Sequence, residues 1–367
     1  MILAIDGVGA KHGGAATVLL EVLGAALRHG AADVLLFCSP AGLRRFALPT
    51  DPRLHVREVS LGERGPGGRI LWHRRGVAAA LRRHPADAVV FLSGGGVAPR
   101  GLRAVTFIQQ SLPFCPEALA RLGWAGRLRF RAIRQEMAAS VRHAAEVVVQ
   151  TPTMQAWVES AFQLAPGKVR VLPPGPPGLL PTASPSAVAA AMARVPPDRR
   201  LLYVGNDSPY KNLEVLVRAL RRIREQWPET TLFATVGGDH PMTREPGVIG
   251  LSYLQGGELR AAYEGATALV LPSLVETVGL PLLEASGCGT PVVVADRPYA
   301  HDVCSDAAAY FDPLDPDALV KALLRVLGDP NLRRRLGGCG RELAQARSGG
   351  RPYDRLVELA LVPPAQT

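Results

Sequence analysis

Lysine is nearly missing from this chain. Lys11, Lys168, Lys211 and Lys321 are the only four in 367 residues, so the net charge of +10 is carried almost wholly by arginine, and a lysine inside a motif is informative. Cysteine is scarce as well: Cys38, Cys115, Cys288, Cys304 and Cys339 are odd in number, widely spaced and without a C-x-x-C pair. That argues against a zinc ribbon or a dithiol redox centre and points to the reducing cytoplasm. No run approaches the roughly 18 apolar residues of a membrane-spanning helix. The opening Met1–Asp6 has the pattern of a strand, without the basic start and long apolar region of a secretory leader, so a soluble, unexported protein is expected. The basic balance favours anionic partners such as nucleotide phosphates or acidic lipid surfaces, while no recognised motif for DNA or RNA accompanies it. What is abundant is apolar: 47% hydrophobic residues suffice for two cores over a length that suits two domains.

Along the chain, strand and helix signals alternate. Ile2–Asp6 reads as a strand, GVGAKHGGAAT as a turn and Val18–Leu27 as a helix, the opening unit of a doubly wound α/β domain. Gly7, Gly9, Gly13 and Gly14 resemble a dinucleotide fingerprint without its spacing, and the strand Asp33–Cys38 ends in Cys38, Ser39 and Pro40 where a nicotinamide site wants an acid. Both points count against a dehydrogenase. The glycines fit either a tight turn or a bare backbone that a phosphate or sugar can approach. An arginine-rich helix over 69–83, a strand at Ala88–Leu92, the turn Ser93–Gly96 and a strand at Ala104–Gln109 come next. Gln109, Gln110 and Ser111 then fall at the carboxyl end of a strand, where open α/β sheets contact ligands. The helix expected over Ala120–Arg142 interleaves Arg121, Arg127, Arg129, Arg131 and Arg134 with Leu122, Trp124, Leu128, Phe130 and Ile133. It suits first an ordinary amphipathic helix packed on the sheet with solvated arginines, and second one lying on an anionic membrane at its inner face.

Prolines and small residues over 173–199 mark a linker between a first domain, 1–172, and a second, 200–340, with a C-terminal helical segment, 341–367, packing back toward the first. The second domain restarts the alternation with a strand at Leu201–Val204, the loop Gly205–Lys211 and a helix at Leu213–Trp227. Lys211 just before a helix opposes the helix dipole, which an anion at the same point would explain. Later the run Thr267–Leu271 delivers the loop Pro272–Gly279 into a helix opened by Pro281, with Glu276 in the loop and Glu284 within the helix. A helix start gathers unpaired N–H groups and partial positive charge, suited to a phosphate, while the carboxylates can accept from sugar hydroxyls.

These residues resemble the retaining family 4 glycosyltransferases of two-Rossmann-domain (GT-B) architecture. ETVGLPLLE matches the family's E-x-F-G-L-x-x-x-E signature, with Val278 at the aromatic position, and ASGCGTPV continues it; LLYVGNDSPYKN resembles the segment G-R-x-x-x-x-K. The resemblance implies two Rossmann-like domains facing across a cleft. It implies that Glu284 holds the ribose of a nucleotide sugar, Glu276 contacts the donor sugar at the transfer site, and the backbone of Val278, Gly279 and Leu280 binds the diphosphate. Lys211 carries over as the diphosphate cation; Gly205 precedes Asn206, which stands where the family has arginine. Gly13 and Gly14 fit the glycine turn of the first domain, and Gln110 falls on the asparagine of an N-x-L-P-F segment found in some mannosyl- and rhamnosyltransferase-like members.

The activity this resemblance implies is transfer of a hexose from a nucleotide diphosphate sugar, its base and sugar left open with GDP-mannose the one donor the LPF segment suggests, to a glycan or lipid-linked acceptor in bacterial-type polysaccharide, lipopolysaccharide or glycolipid assembly. The family's front-face mechanism passes the acceptor proton to the departing phosphate, needing no protein nucleophile. No D-x-D stands in the expected place, and the family is usually metal-independent, so neither metal nor cofactor is expected. Asn206 keeps open a second reading, a non-catalytic nucleotide-sugar-binding protein of the same fold.

Overall fold

The structure, a computed structural model, describes residues 1–362 other than 12, 30–32, 46, 176–186, 255 and 349. The chain divides into two compact units, Met1–Pro173 with Arg351 onward, and Pro174–Gly350. Each is a parallel sheet covered by helices.

In the first unit the strands are β1 (Ile2–Asp6), β2 (Asp33–Cys38), β3 (Leu54–Glu58), β4 (Ala88–Phe91), β5 (Arg103–Phe107), β6 (Glu146–Val149) and β7 (Val169–Val171), in the order β3-β2-β1-β4-β5-β6-β7. All neighbours are parallel. Parallel strands need crossovers on both faces, so the inner strands are apolar on both sides. Leu3, Ile5, Leu36 and Val90 pack under Leu19, Val22 and Leu23 of the Gly13–Arg28 helix and under Leu356 and Leu359 of the Pro352–Leu361 helix. Ala4, Leu35, Phe37, Val89 and Phe91 meet Trp72, Val77 and Leu81 on the other side. The chain builds outward from β1 to β3 and returns to β4, which pairs with β1, making a switch point at their carboxyl ends.

The second unit repeats the plan with β8 (Arg200–Tyr203), β9 (Thr231–Ala234), β10 (Val248–Gly250), β11 (Ala268–Leu271), β12 (Val292–Ala295) and β13 (Ala308–Phe311), ordered β10-β9-β8-β11-β12-β13. Its switch point lies between β8 and β11, whose register pairs Leu202 with Leu269.

Several expected boundaries shift. Of the linker read over 173–199, residues 176–186 lie outside the described set, while Ala187–Ala193 is a helix whose Val188 and Met192 are buried in the second core. An alanine-rich composition hid two core positions four residues apart. The second unit runs past 340 because the Pro330–Ser348 helix crosses that point; Gly337 and Gly340 let it lie directly on Gly289 and Ser286. Residues 341–348 therefore belong to the second unit and Pro352–Leu361 to the first; 363–367 are outside the described residues. The arginine-rich helix over 69–83 is interrupted by a π-helical turn, Trp72–Gly76. The helix expected from Ala120 starts at Trp124, after a short helix at Pro116–Ala120, because Gly123 is extended (φ −62°, ψ 167°).

Candidate functional site

The loops leaving β8 and β11 at the second switch point carry most of the expected site residues. Gly205 is held at both ends by one side chain: Thr235 Oγ1 accepts from its N–H at 2.9 Å and donates to its carbonyl at 3.1 Å. A Cβ at this position would sit 2.5 Å from the Tyr203 hydroxyl, which instead donates to the Asn206 carbonyl at 2.6 Å. The exposed Asn206 side chain is spent on its own turn, accepting from the Ser208 N–H at 3.1 Å. After the short turn Pro209–Lys211, Asn212 takes the left-handed region (φ 57°) and anchors through Nδ2 to the Pro313 carbonyl at 2.7 Å. The Leu274 N–H donates to the Tyr210 carbonyl at 2.9 Å, tying the two loops together. The result is that Lys211 Nζ lies 2.5 Å from Glu276 Oε1, with each side chain 13% exposed.

The next helix, Leu280–Cys288, begins from Gly279 at φ 74° with no side chain capping it and no acid in its first turn. Uncapped amides and the dipole leave this end attractive to an anion. Val278 is buried in the core, so at the family's aromatic position only the backbone is offered to a ligand. Glu284, farther along the helix, is half-buried, and its Oε2 accepts from the Tyr263 hydroxyl at 2.6 Å. Burial raises the Glu284 pKa above the ordinary carboxylate value, and the Tyr263 bond opposes that rise. Tyr263 comes from the Gly256–Gly265 helix and is fully buried, its carbonyl accepting from Thr290 Oγ1 at 2.8 Å. Nothing in the sequence separated it from an ordinary core tyrosine.

The remaining expected residues belong to the first unit. Gly13, at φ 58°, and Gly14 open the Gly13–Arg28 helix and are exposed. Gln110 comes after β5 and is half-buried, while its neighbour Gln109 donates to the Leu92 carbonyl at 2.7 Å. The structure thus joins Lys211 to Glu276 directly and sets Gly279 and Glu284 on one helix, whereas Gln110, Gly13 and Gly14 stand on the other unit. The sequence pattern gave no sign of a buried cluster there, Asp6, His73 and Glu136. Among the described residues no three His, Cys, Asp or Glu side chains gather as metal ligands. Burial pushes the Cys38 and Cys288 thiols up to about 11 and Cys304 to about 12, so these three stay protonated near neutrality.

Two Rossmann-like units in tandem, each with loops converging on its switch point, define a GT-B-type protein. Residues 198–329 match the family model for glycosyl transferases group 1, and residues 12–176 that for glycosyltransferase family 4. The chain belongs to the group 1, family 4 glycosyltransferases. It is 32% identical over 160 residues to the O-antigen chain mannosyltransferase B of Escherichia coli, covering 40% of this chain and 41% of that protein. Against the D-inositol 3-phosphate glycosyltransferase of Thermobifida fusca (strain YX) it is 30% identical over 242 residues, 60% of this chain and 55% of the other. The chain thus spans about half the length of the curated relatives it matches. The crystal structure of WaaG, a glycosyltransferase involved in lipopolysaccharide biosynthesis, superposes with a TM-score of 0.75 over 99% of this chain and 100% of that one; at 20% identity the likeness is one of fold.

Proposed function

We propose that the chain is a retaining glycosyltransferase moving a hexose from a nucleotide diphosphate sugar to a glycan or lipid-linked acceptor in polysaccharide, lipopolysaccharide or glycolipid assembly. The observation that carries the reading is the Lys211–Glu276 pair beside the uncapped helix start at Gly279. As the bond from the sugar's anomeric carbon to the diphosphate breaks, negative charge grows on the departing phosphate. Lys211 and the amides around Gly279 supply opposing charge, each well-aimed donor contributing about 3 kcal/mol. The acceptor oxygen bonds to the anomeric carbon on the same face, and its proton passes to the departing phosphate oxygen, so the step balances without a protein nucleophile. Glu276 accepts from the donor sugar and Glu284 from the ribose, and in this reading no metal or cofactor takes part. GDP-mannose is the favoured donor, supported by the mannosyltransferase relative and the LPF segment after Gln110.

A thermal-shift panel of GDP-, UDP-, TDP- and ADP-sugars tests donor binding, because a ligand of the folded state raises its melting temperature. Stabilisation by one base, followed by a product whose anomeric configuration matches the donor's, is expected; no stabilisation by any sugar nucleotide would sink the reading. A second reading, donor binding without turnover, is favoured by the uncharged, self-satisfied Asn206. Donor consumption with and without acceptors separates the two.

The proposed function also sets the protein at the inner face of an anionic membrane. Trp124 is 80% and Leu128 61% exposed, one turn apart, among the exposed Arg121, Arg127, Arg129, Arg131 and Arg134. Core packing by this helix comes from Ile133, Met137 and Val141 farther along. Among the described residues no helix is long and apolar enough to cross a membrane.

A further inference from the structure

At the first unit's switch point, where β1 and β4 pair, charged side chains are shut away from solvent. Asp6 at the end of β1 is wholly buried, His73 is 2% exposed and Glu136, from the Trp124–His143 helix, 5%. Asp6 Oδ1 accepts from the Val8 N–H at 3.1 Å and Oδ2 from Trp72 Nε1 at 3.2 Å. His73 lies in the Trp72–Gly76 π-helical turn, a feature that often marks functional positions. Its Nε2 is 3.4 Å from Asp6 Oδ2 and 3.2 Å from Ser93 Oγ, and its Nδ1 is 3.7 Å from Glu136 Oε2. Arg69 adds a second positive charge, lowered in pKa by burial and pulled back up by Glu136 and Asp6. The carboxylates of Asp6 and Glu136 thus face the His73 ring from two sides.

Ser93, His73 and Asp6 are the residue types of a hydrolase triad without its geometry. Serine and aspartate share one ring nitrogen here, and the carboxylate facing the other, Glu136, stands at 3.7 Å, beyond the hydrogen bond by which a triad orients its histidine. The ring is also already charged: burial works against the imidazolium, but Asp6 and Glu136 outweigh it and lift His73 to about 9. It has no lone pair with which to take a serine proton. With the ring charged, Ser93 Oγ accepts from Nε2–H and its own proton must be given elsewhere, while Nδ1 has no hydrogen-bond partner among the described residues and only faces the Glu136 carboxylate.

Ser93 is the partly exposed member of the group and begins a turn with bare backbone behind it. A Cβ on Gly95 would come within 2.6 Å of His73 Nδ1, and one on Gly9, from the turn after β1, within 2.9 Å of the Ser93 Cβ. Side chains are thus kept out around the hydroxyl, at Gly95 by the His73 ring and at Gly9 by Ser93 itself. Because the buried Asp6 and Glu136 carboxylates lie behind it, the hydroxyl suits a neutral sugar oxygen better than a diphosphate.

We propose that Ser93 is a substrate-contacting hydroxyl of the first unit, donating its proton to an oxygen of the saccharide acceptor, and that His73 is the positioning residue that sets this polarity. The proposal rests on the glycosyl-transfer reading, and its test keeps the two apart.

In the full chain labelled with ¹⁵N-histidine, both His73 ring nitrogens are expected to be protonated at pH 7.5 and to titrate near 9. A neutral ring at pH 7.5 overturns the proposal whatever the chain catalyses. In the transfer assay, Ser93→Ala is expected to raise the acceptor KM roughly fivefold to tenfold while the donor KM stays unchanged, as loss of one hydrogen bond predicts. Ser93→Thr restores it and His73→Gln repeats the Ser93→Ala effect; should His73→Gln fail to fold, the Ala and Thr pair decides. An acceptor KM equal in wild type and Ser93→Ala overturns the proposal. If no sugar nucleotide stabilises the wild type, it is the transfer reading that fails, and the acceptor contact proposed for Ser93 falls with it, while the histidine signal still decides the polarity.

Discussion

Lys211 and Glu276, 65 positions apart in the sequence, meet at 2.5 Å on two loops that leave neighbouring strands of the second sheet. Lys211→Ala should lower transfer about 100-fold or more through lost leaving-group stabilisation, with near-native circular dichroism. Glu276→Ala should also cost roughly 1–3 kcal/mol in urea unfolding, because it strands a half-buried ammonium. Glu276→Gln should recover most of that stability but little activity. Unaltered turnover in both Lys211→Ala and Glu276→Ala would refute the site.

Glu284 depends on Tyr263 in a similar way. Its pKa is raised by burial, so the folded state binds the proton more tightly and loses stability as pH climbs from 4.5 through the raised value. Tyr263→Phe removes the one interaction opposing that shift. The pH at which Glu284 becomes able to accept from a ribose should therefore move upward, seen as a higher midpoint for donor binding in titrations across acidic pH. A midpoint unchanged from wild type would mean that the Tyr263 hydroxyl does not support the carboxylate.

Gly279→Ala probes the helix start. At φ 74°, with a Cβ 3.1 Å from Leu282, alanine should cost about 1–2 kcal/mol and re-aim the first amides. Thermal denaturation should show the loss, and donor affinity should fall with it. Loss of stability with full donor affinity would remove these amides from the diphosphate site.

Asn206→Arg restores a cation where this chain has none. Since the Asn206 side chain is exposed and satisfies only the Ser208 N–H, the change should fold normally. It is expected to raise kcat with a sugar nucleotide roughly tenfold, a gain of about 1.4 kcal/mol at the transition state. A kcat at or below wild type would show that charge at this position is not what limits turnover.

The Trp124–Leu128 face should bind vesicles of phosphatidylglycerol and phosphatidylcholine, and not phosphatidylcholine alone, in co-sedimentation. Each arginine near such a surface contributes about 1 kcal/mol, screened by salt. Binding should weaken at high ionic strength and drop in Trp124→Ala and Leu128→Ala. Equal binding to neutral vesicles, or none to either, would remove the membrane from the proposed function.

Period and punctuation alone determined much of this protein. Apolar runs separated by glycine turns and amphipathic segments define parallel α/β architecture, because strands buried on both faces must be apolar throughout. ETVGLPLLE and the lysine of GNDSPYK stood out because glycine, proline and charge at helix starts have local causes that sequence displays. Elements whose stability is not local were hidden. The Pro330–Ser348 helix buries Leu332 and Leu336 but meets Gly289 and Ser286 through Gly337 and Gly340, which carry no hydrophobic signal, and the Ala187–Ala193 helix looked like linker because Val188 and Met192 are its two large buried anchors among alanines. Partners were hidden for the same reason. Tyr263 under Glu284, and His73 between Asp6 and Glu136, sit in stretches that read as ordinary helix. Sequence could name which side chains carry charge; only the tertiary structure decided which of them are buried together, since that depends on strand order and register across separations that no local pattern records.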